Sequence, residues 1–330
     1  MLLAIIAIIF GFVCLMWSAD QFVDGAASIA RNMGMSPMMI GITIVSVGTS
    51  APEVLVSIVA AATGSGDLAI GNAIGSNIAN VGLVLGITLL IVPLLSGDHY
   101  IKREIPILIV AMLAVGALIA DGNASAIDGT LMLAALIGIL WWMVHRQSKD
   151  QQTESEVAEE PLPDLSPLRA WLTFLMGLAL LIVSSRVLVW SATEIARELG
   201  MSELVIGLTI VAIGTSLPEL AASVAGALRG HTDIALGNVV GSNLFNLLGV
   251  MAIPGIIQVQ PIGELTLMRD YLSMVAVTGV LALAMLWGRR SQHAGNKQLY
   301  LSRPVGALLL ALYAGYYYWL FATMLPGAGQ

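Results

Sequence analysis

Two short stretches place a glutamate inside long apolar segments: GTSAPE at 48–53 and GTSLPE at 214–219. A carboxylate deep in a membrane span costs about 2.5–3.5 kcal/mol on insertion scales, so it normally faces a cavity or a partner. In the first stretch, Thr49 and Glu53 are four residues apart and share a helix face, which Ser50 adjoins. The pattern predicts a face that carries hydroxyl and carboxylate oxygens. The second stretch repeats this spacing with Thr215, Ser216 and Glu219.

Each stretch also carries a proline, Pro52 in the first and Pro218 in the second. Proline has no backbone N–H, and its ring clashes with the carbonyl four residues earlier, which belongs here to Gly48 or Gly214. We therefore expect each helix to be kinked or broken, with backbone carbonyls turned inward. Irregular backbone at membrane depth is tolerated where it lines a cavity. Carboxylate, hydroxyl and carbonyl oxygens together suit hard cations such as Ca²⁺ or Na⁺.

A second repeated motif supplies further oxygen atoms, with GNAIGSNIAN at 71–80 and GNVVGSNLFN at 237–246. In each copy a serine and an asparagine four residues apart share a helix face, and their alternative role is an interhelical hydrogen bond. The two pairs are Ser76 with Asn80 and Ser242 with Asn246. The glycines of the motif are expected to allow close helix packing. They are Gly71, Gly75, Gly237 and Gly241.

The composition is that of an all-α, polytopic membrane protein. Of the 330 residues, 58% are hydrophobic and 11% are charged, whereas a soluble domain is about half apolar. About ten apolar runs are long enough to cross a bilayer, and we read the first as a membrane helix and not as a signal peptide. The single cysteine excludes a disulfide framework within the chain. The predicted spans are 2–28, 37–62, 68–94, 104–120, 127–144, 168–196, 203–228, 234–258, 271–288 and 304–324.

The two halves of the chain are related by an internal repeat. GITIVSVGTSAPEVLVS at 41–57 shares ten of seventeen residues with GLTIVAIGTSLPELAAS at 207–223, an offset of 166 residues. We divide the chain into a first five-helix repeat at 1–145, an acidic linker at 146–167 and a second five-helix repeat at 168–330. Because five is odd, the second repeat enters the membrane from the opposite face. Inverted repeats are typical of secondary transporters with a midplane site; the alternative is that duplication only builds a symmetric scaffold.

The distribution of Lys and Arg predicts the orientation in the membrane. Cytoplasmic loops carry an excess of basic residues, and with the N-terminus outside, eleven of the 14 basic residues face the cytoplasm. We therefore predict that both termini lie outside and that the linker 146–167 is cytoplasmic. The compact size and the lack of a large cytoplasmic domain favour a prokaryotic plasma membrane, which for a bacterium is the inner membrane with both termini periplasmic. The expected partners are membrane lipid and transported cations, with no cofactor, no nucleic acid and no obligatory protein partner.

The paired motifs, GTSxPE followed by GNxxGSN in both halves, resemble those of the calcium:cation antiporter superfamily, which includes sodium/calcium and cation/proton exchangers. The resemblance covers nearly the whole chain. It implies ten helices, of which four surround a midplane cation site, and it implies that the long first and sixth helices slide to alternate access. The side-chain ligands that it implies are Thr49, Ser50, Glu53, Ser76, Asn80, Thr215, Ser216, Glu219, Ser242 and Asn246. It also implies that the backbone carbonyls of Ser46 and Ala212 complete the shell.

Three functions are weighed against these residues. The first, which we favour, is a secondary active antiporter, not an enzyme, that exchanges Ca²⁺ for Na⁺ or H⁺. The second is a Na⁺/H⁺ or K⁺-linked exchanger of monovalent cations that uses the same site. The third is an intramembrane hydrolase, but the chain has no HExxH or GxSxG motif and no histidine within the repeated motifs.

One position departs from some members of the superfamily. Some sodium/calcium exchangers carry an aspartate where this chain has Asn246. The core then holds only the two carboxylates of Glu53 and Glu219, a formal charge of −2. This charge balances one Ca²⁺, two monovalent cations or two protons, so the coupling ion and its stoichiometry stay open.

Overall fold

The computed structural model describes residues 2–97, 100–150, 163–201, 210, 212–291 and 297–324, and most of them are helical. The first six helices are α1 (Leu2–Met33), α2 (Pro37–Thr49), α3 (Ala51–Ala62), α4 (Gly66–Ile91), α5 (Ile105–Leu118) and α6 (Ala126–Asp150). The next six are α7 (Pro167–Glu198), α8 (Ala212–Thr215), α9 (Leu217–Leu228), α10 (Thr232–Ile257), α11 (Thr266–Trp287) and α12 (Arg303–Met324). Five short strands, which were not predicted, are β1 (Leu94–Gly97), β2 (Asn123–Ala124), β3 (Gln260–Pro261), β4 (Arg289–Ser291) and β5 (Lys297–Leu301).

Among the described residues, seven helices are long and apolar enough to cross a membrane, and the bent pair α2–α3 makes up to eight. The span predicted at 104–120 is the shorter helix α5, of 14 residues, which a π-helical turn at Tyr100–Glu104 precedes. The span predicted at 203–228 lies partly outside the described residues. The chain is therefore a multi-pass helical membrane protein, and the count of ten helices stays a prediction.

The helix boundaries repeat between the two halves of the chain. Helices α3 and α9 begin and end at the offset of 166 residues found in the sequence, and so do α4 and α10. Both α4 and α10 contain a π-helical stretch at the same place, Asn80–Leu85 in the first and Asn246–Val250 in the second. Helices α1 and α7 are both 32 residues long. The local structure thus repeats with the sequence, and the inverted relation of the two halves stays a prediction.

The described chain forms two compact units. The first comprises Met1–Leu55 and Ile137–Phe245, and the second comprises Val56–Leu136 and Asn246–Gln330. Each unit contains segments of both predicted repeats, because the division falls within helices α3, α6 and α10.

In the first unit, α1 and α7 pack against each other over most of their length. Gly25 contacts Phe174, and Gly177 contacts Phe22, so the two helices run antiparallel. A Cβ atom added at either glycine would lie 2.5 Å from a backbone nitrogen of the other helix. Only glycine therefore permits this approach, and the Phe22 and Phe174 rings stack beside it with centroids 4.8 Å apart.

The end of the predicted linker also packs against α1. Arg31 Nη1 pairs with Asp164 Oδ1 at 2.9 Å, and Asn32 Nδ2 donates to the Leu165 carbonyl at 3.0 Å. Helix α6 continues to Asp150, past the predicted start of the linker at 146, while residues 151–162 lie outside the described part of the chain.

In the second unit, a buried polar network joins α11 to α12. Arg269 Nε pairs with Asp270 Oδ1 at 2.6 Å, and Arg269 Nη1 donates to Thr323 Oγ1 at 2.7 Å, while Tyr316 donates its hydroxyl to Asp270 Oδ1 at 3.1 Å. A buried ion pair needs such additional hydrogen bonds to offset its desolvation. Strands β1, β5 and β4 form one small antiparallel sheet of this unit, and β2 pairs with β3.

Candidate cation site

The helix is broken at both GTSxPE stretches, as the prolines predict. Ser50 (φ −81°, ψ 4°) separates α2 from α3 with a bend of 45°, and Ser216 (φ −89°, ψ 3°) separates α8 from α9. Pro52 and Pro218 then lie in the first turn of the following helix, where an N–H has no intrahelical partner to lose. The glutamate that follows each proline lies in the same turn, where the helix N-terminus favours a negative charge.

Pro218 has no N–H to donate to the Gly214 carbonyl, so this carbonyl lacks its usual donor within the helix. It accepts a hydrogen bond from another helix instead. Ser185 of α7 donates its hydroxyl to this carbonyl at 2.9 Å. Ser185 is buried, so its bond satisfies a backbone group that water does not reach. The bond also holds α7 against the break between α8 and α9.

We expect Ser185→Ala to lower the free energy of unfolding by about 1–3 kcal/mol, because the buried Gly214 carbonyl loses its donor. Ser184→Ala is the matched control: Ser184 and Ser185 are both 4% exposed, but the Ser184 hydroxyl bonds the Leu180 carbonyl of its own helix at 2.7 Å. Thermal unfolding in detergent measures the difference. Equal melting temperatures for the two variants would contradict the role assigned to Ser185.

Within the first unit, side chains from both GTSxPE stretches meet. Ser50 donates its hydroxyl to Glu219 Oε1 at 3.2 Å, and Thr49 Oγ1 lies 3.5 Å from Ser242 Oγ. Glu53 lies in the first turn of α3, three residues after Ser50. All five side chains are at most 1% exposed. The first unit therefore contains a buried cluster of two carboxyl groups and three hydroxyl groups, all from predicted ligands.

The other predicted ligands of this unit have different surroundings. Ser46 is buried, and its carbonyl accepts the Ser50 N–H at 3.0 Å. Ser216 is buried, and its hydroxyl has no hydrogen-bond partner within the described part of the chain. Thr215 is half-buried, and Ala212 is the first residue of α8.

In the second unit, three predicted ligands lie on neighbouring elements. Ser76 and Asn80 lie on α4, and Asn246 begins the π-helical stretch of α10 that packs against α4. All three are buried. Neither Asn80 nor Asn246 has a side-chain hydrogen-bond partner among the described residues. Because a buried polar group without a partner costs about 1–3 kcal/mol, both amides are open to a ligand.

Asn238 is a buried polar residue of the first unit that the predicted ligand set omits. Its Oδ1 accepts the Thr49 hydroxyl at 3.1 Å, and its Nδ2 donates to Ser223 Oγ at 3.0 Å. In the second unit, Asn72 donates in the same way to Ser57 at 3.2 Å. Both asparagines and both serines are identities of the aligned repeats, so the repeat itself carried the signal that could have found them.

Gly237 and Gly241 bring α10 close to α2, as predicted. A Cβ atom added at Gly237 would lie 2.7 Å from the Met38 carbonyl oxygen, and one at Gly241 would overlap α2 as well. Close packing thus explains these two glycines. Around Gly71 and Gly75, no described atom comes within 4 Å of an added Cβ, so their packing role stays a prediction.

The chemistry of the cluster is that of an oxygen site with few charges. In the described ranges, no group of three or more His, Cys, Asp or Glu side chains is arranged so that it could hold a metal ion. Cation binding would therefore depend on two glutamates together with hydroxyl, amide and carbonyl oxygens, which are ligands for hard cations.

Comparison with known proteins identifies similar chains over nearly the full length. A family model described as sodium/calcium exchanger protein matches residues 3–145 and 169–322. The chain is 44% identical to the putative antiporter CaxA of Alkalimonas amylolytica, over 98% of this chain and 100% of that protein. It is 39% identical to the inner membrane protein YrbG of Escherichia coli (strain K12), over 97% of this chain and 96% of that protein.

The fold is also similar to a solved structure. The sodium-calcium exchanger NCX_Mj superimposes with a TM-score of 0.80 at 31% sequence identity, and the match covers 96% of this chain and 98% of that chain. The likeness therefore extends to both halves of the chain.

Proposed function

The chain belongs to the sodium/calcium exchanger protein family, and on this premise we propose that it is a secondary active antiporter that exchanges Ca²⁺ for Na⁺ or H⁺. Exchange proceeds by alternating access at one buried oxygen site. Since the family consists of transporters, the hydrolase alternative is not retained. We further propose that the protein lies in a bacterial inner membrane with both termini periplasmic, on the Lys and Arg distribution and on its likeness to YrbG.

The observation that carries the proposal is the burial of Glu53 and Glu219 in one unit, where Ser50 of the first GTSxPE stretch donates its hydroxyl to Glu219 of the second. Two carboxyl groups so deeply buried are unfavourable unless a cation or protons neutralise them. A hydrophobic scaffold has no need of such a pair, whereas a carrier of a divalent cation does. We assign to the cation the twelve predicted ligands, Ser46, Thr49, Ser50, Glu53, Ser76, Asn80, Ala212, Thr215, Ser216, Glu219, Ser242 and Asn246.

Exchange follows because Ca²⁺ and the counter-ion compete for the same two carboxylates, those of Glu53 and Glu219. One Ca²⁺ balances both carboxylates, and so do two Na⁺ or two protons, so that the ions exclude one another from the site. A site that opens to either side only when it is neutralised couples the two fluxes. The Asn246 amide leaves the site without a third carboxylate, which favours a counter-ion charge of two for each Ca²⁺.

Uptake of ⁴⁵Ca²⁺ into proteoliposomes tests this function. Vesicles are loaded with Na⁺ and diluted into Na⁺-free buffer at a clamped pH, and a second set carries an outward proton gradient without Na⁺. We expect Ca²⁺ uptake driven by one of these gradients. If neither gradient drives Ca²⁺ uptake but ²²Na⁺ moves against protons, the monovalent alternative replaces the proposal.

Asn246→Asp is expected to make Ca²⁺ uptake depend more steeply on internal Na⁺, because a third carboxylate lets the site hold more cation charge. The initial rate of ⁴⁵Ca²⁺ uptake is measured as a function of internal Na⁺ for the variant and for the unchanged protein. Asn77→Asp, a change to a buried asparagine of α4 outside the predicted ligand set, controls for a charge added elsewhere. Superimposable Na⁺ curves for Asn246→Asp and the unchanged protein would show that the residue does not set the coupling.

A further inference from the structure

The side chain of Asn238 is held on both of its polar atoms. Its Nδ2 donates to Ser223 Oγ at 3.0 Å and to the Glu219 backbone carbonyl at 3.3 Å, while its Oδ1 accepts the Thr49 hydroxyl at 3.1 Å. Asn238, Ser223 and Thr49 are all 0% exposed. One amide on α10 thus connects the two GTSxPE stretches, through the Glu219 backbone of one and the Thr49 side chain of the other.

The Glu219 carbonyl determines which way the amide faces. A carbonyl oxygen can only accept a hydrogen bond, so the atom that faces it must be Nδ2. The opposite orientation would bring two oxygen atoms together in a buried place. Oδ1 must therefore face Thr49, and because Oδ1 can only accept, Thr49 must donate.

This arrangement decides what the Thr49 oxygen can offer to a cation. A threonine hydroxyl has one proton and two lone pairs, and only a lone pair can coordinate a cation. The next acceptors for the proton are the Ser46 carbonyl at 3.3 Å and Ser242 Oγ at 3.5 Å. Both belong to the proposed ligands, so a hydrogen bond donated to either oxygen would occupy a lone pair that could otherwise coordinate the cation.

We propose that Asn238 is a positioning residue. By accepting a hydrogen bond from the Thr49 hydroxyl, it turns the hydroxyl hydrogen away from the cation, so that Thr49, Ser46 and Ser242 present lone pairs to the cation. The inference rests on the proposed function, because it assigns a role at the same cation site. It concerns a residue that is not itself a ligand, since both polar atoms of Asn238 are already bonded within the protein.

The first copy of the repeat supports a function for this pair of residues. Asn72 and Ser57 occupy the positions that correspond to Asn238 and Ser223, and Asn72 Nδ2 donates to Ser57 Oγ at 3.2 Å. Neither pair lies in a GTSxPE stretch, yet both the residues and the hydrogen bond occur twice. Because a serine hydroxyl can donate or accept, the orientation of the Asn238 amide is fixed by the Glu219 carbonyl and not by Ser223.

The test measures the Ca²⁺ concentration that gives half-maximal ⁴⁵Ca²⁺ uptake in proteoliposomes. Asn238→Leu keeps the approximate volume but removes the acceptor, and we expect it to raise this concentration about tenfold, the effect of one buried hydrogen bond, with a smaller change in maximal rate. In the Thr49→Val background the same substitution should have no further effect, because the hydroxyl that donates a hydrogen bond to Asn238 is then absent. Ser223→Ala is the control, since it removes a partner of Asn238 without touching Thr49.

The outcomes separate the inference from the proposed function. Absence of cation-driven Ca²⁺ uptake in the unchanged protein would overturn both. If the unchanged protein is active, an unaltered half-maximal concentration in Asn238→Leu, or equal additional losses with and without Thr49, would overturn the inference alone. Should Asn238→Leu fail to fold, Asn238→Ala decides, since it removes the same acceptor with a smaller side chain. A rise in the half-maximal Ca²⁺ concentration that disappears in the Thr49→Val background supports the inference, whereas an equal rise in both backgrounds would show that Asn238 only maintains the fold.

Discussion

Replacing Glu53 or Glu219 by glutamine is expected to abolish Ca²⁺ exchange, with a loss of at least about a hundredfold in initial rate, equivalent to about 2.7 kcal/mol. Each substitution keeps the shape of the side chain but leaves the site with one carboxylate. One negative charge cannot balance a divalent cation in a buried place, where an uncompensated charge is strongly unfavourable. The glutamine N–H₂ group would in addition face the cation with a donor.

The rate is measured as ⁴⁵Ca²⁺ uptake and normalised to the amount of folded protein in the vesicles. Glu104→Gln is the matched control, because Glu104 is also buried, at 3% exposure, but lies outside the proposed site. We expect this control to retain exchange. Exchange at the unchanged rate in a folded Glu219→Gln protein would contradict the assignment of the site.

Replacing Gly237 by valine is expected to destabilise the protein by more than about 3 kcal/mol, beyond ordinary overpacking, because backbone and not a side chain must move. A Cβ atom at this position would lie 2.7 Å from the Met38 carbonyl oxygen and 3.1 Å from the Gly41 Cα. Helices α2 and α10 would then have to separate. Because they carry Thr49 and Asn238, the hydrogen bond between these residues would be lost with the contact.

Thermal unfolding and size-exclusion chromatography of the purified variant check this expectation. Gly279→Val is the control: Gly279 is also within a helix, and no described atom lies within 4 Å of a Cβ added there. The Gly279→Val variant measures how much a β-branched residue destabilises a helix when the added Cβ atom meets no described neighbouring atom. If both variants unfold at the same temperature, close approach of α2 and α10 is not what Gly237 provides.

The broken helices were predictable from the sequence because their cause is local. Pro52 and Pro218 remove a backbone donor and collide with the preceding turn wherever they occur, so the break needs no knowledge of the tertiary fold. The partner of the Gly214 carbonyl was not predictable, because Ser185 lies on a separate helix and its sequence surroundings resemble those of any membrane serine.

Some residues of the cluster could likewise be predicted from the sequence, and others could not. Glu53 and Glu219 stand out because a carboxylate in an apolar span is costly. Asn238 does not stand out, since an asparagine in a glycine motif is as readily a packing residue, and only the structure shows that its Oδ1 accepts a hydrogen bond from the Thr49 hydroxyl. Helix α5 ends at Leu118, two residues before the predicted end of its span at 120, because apolar composition alone does not mark the residue at which a helix ends.

The most direct test of the account is an equilibrium binding measurement of ⁴⁵Ca²⁺ to the purified protein in detergent, with and without competing Na⁺ or protons. We expect one Ca²⁺ to bind per chain and to be displaced by the counter-ion, and we expect no specific binding to the Glu53→Gln, Glu219→Gln double variant. Undiminished Ca²⁺ binding to the double variant, or Ca²⁺ binding that neither Na⁺ nor protons displace, would contradict a single shared site at the two glutamates.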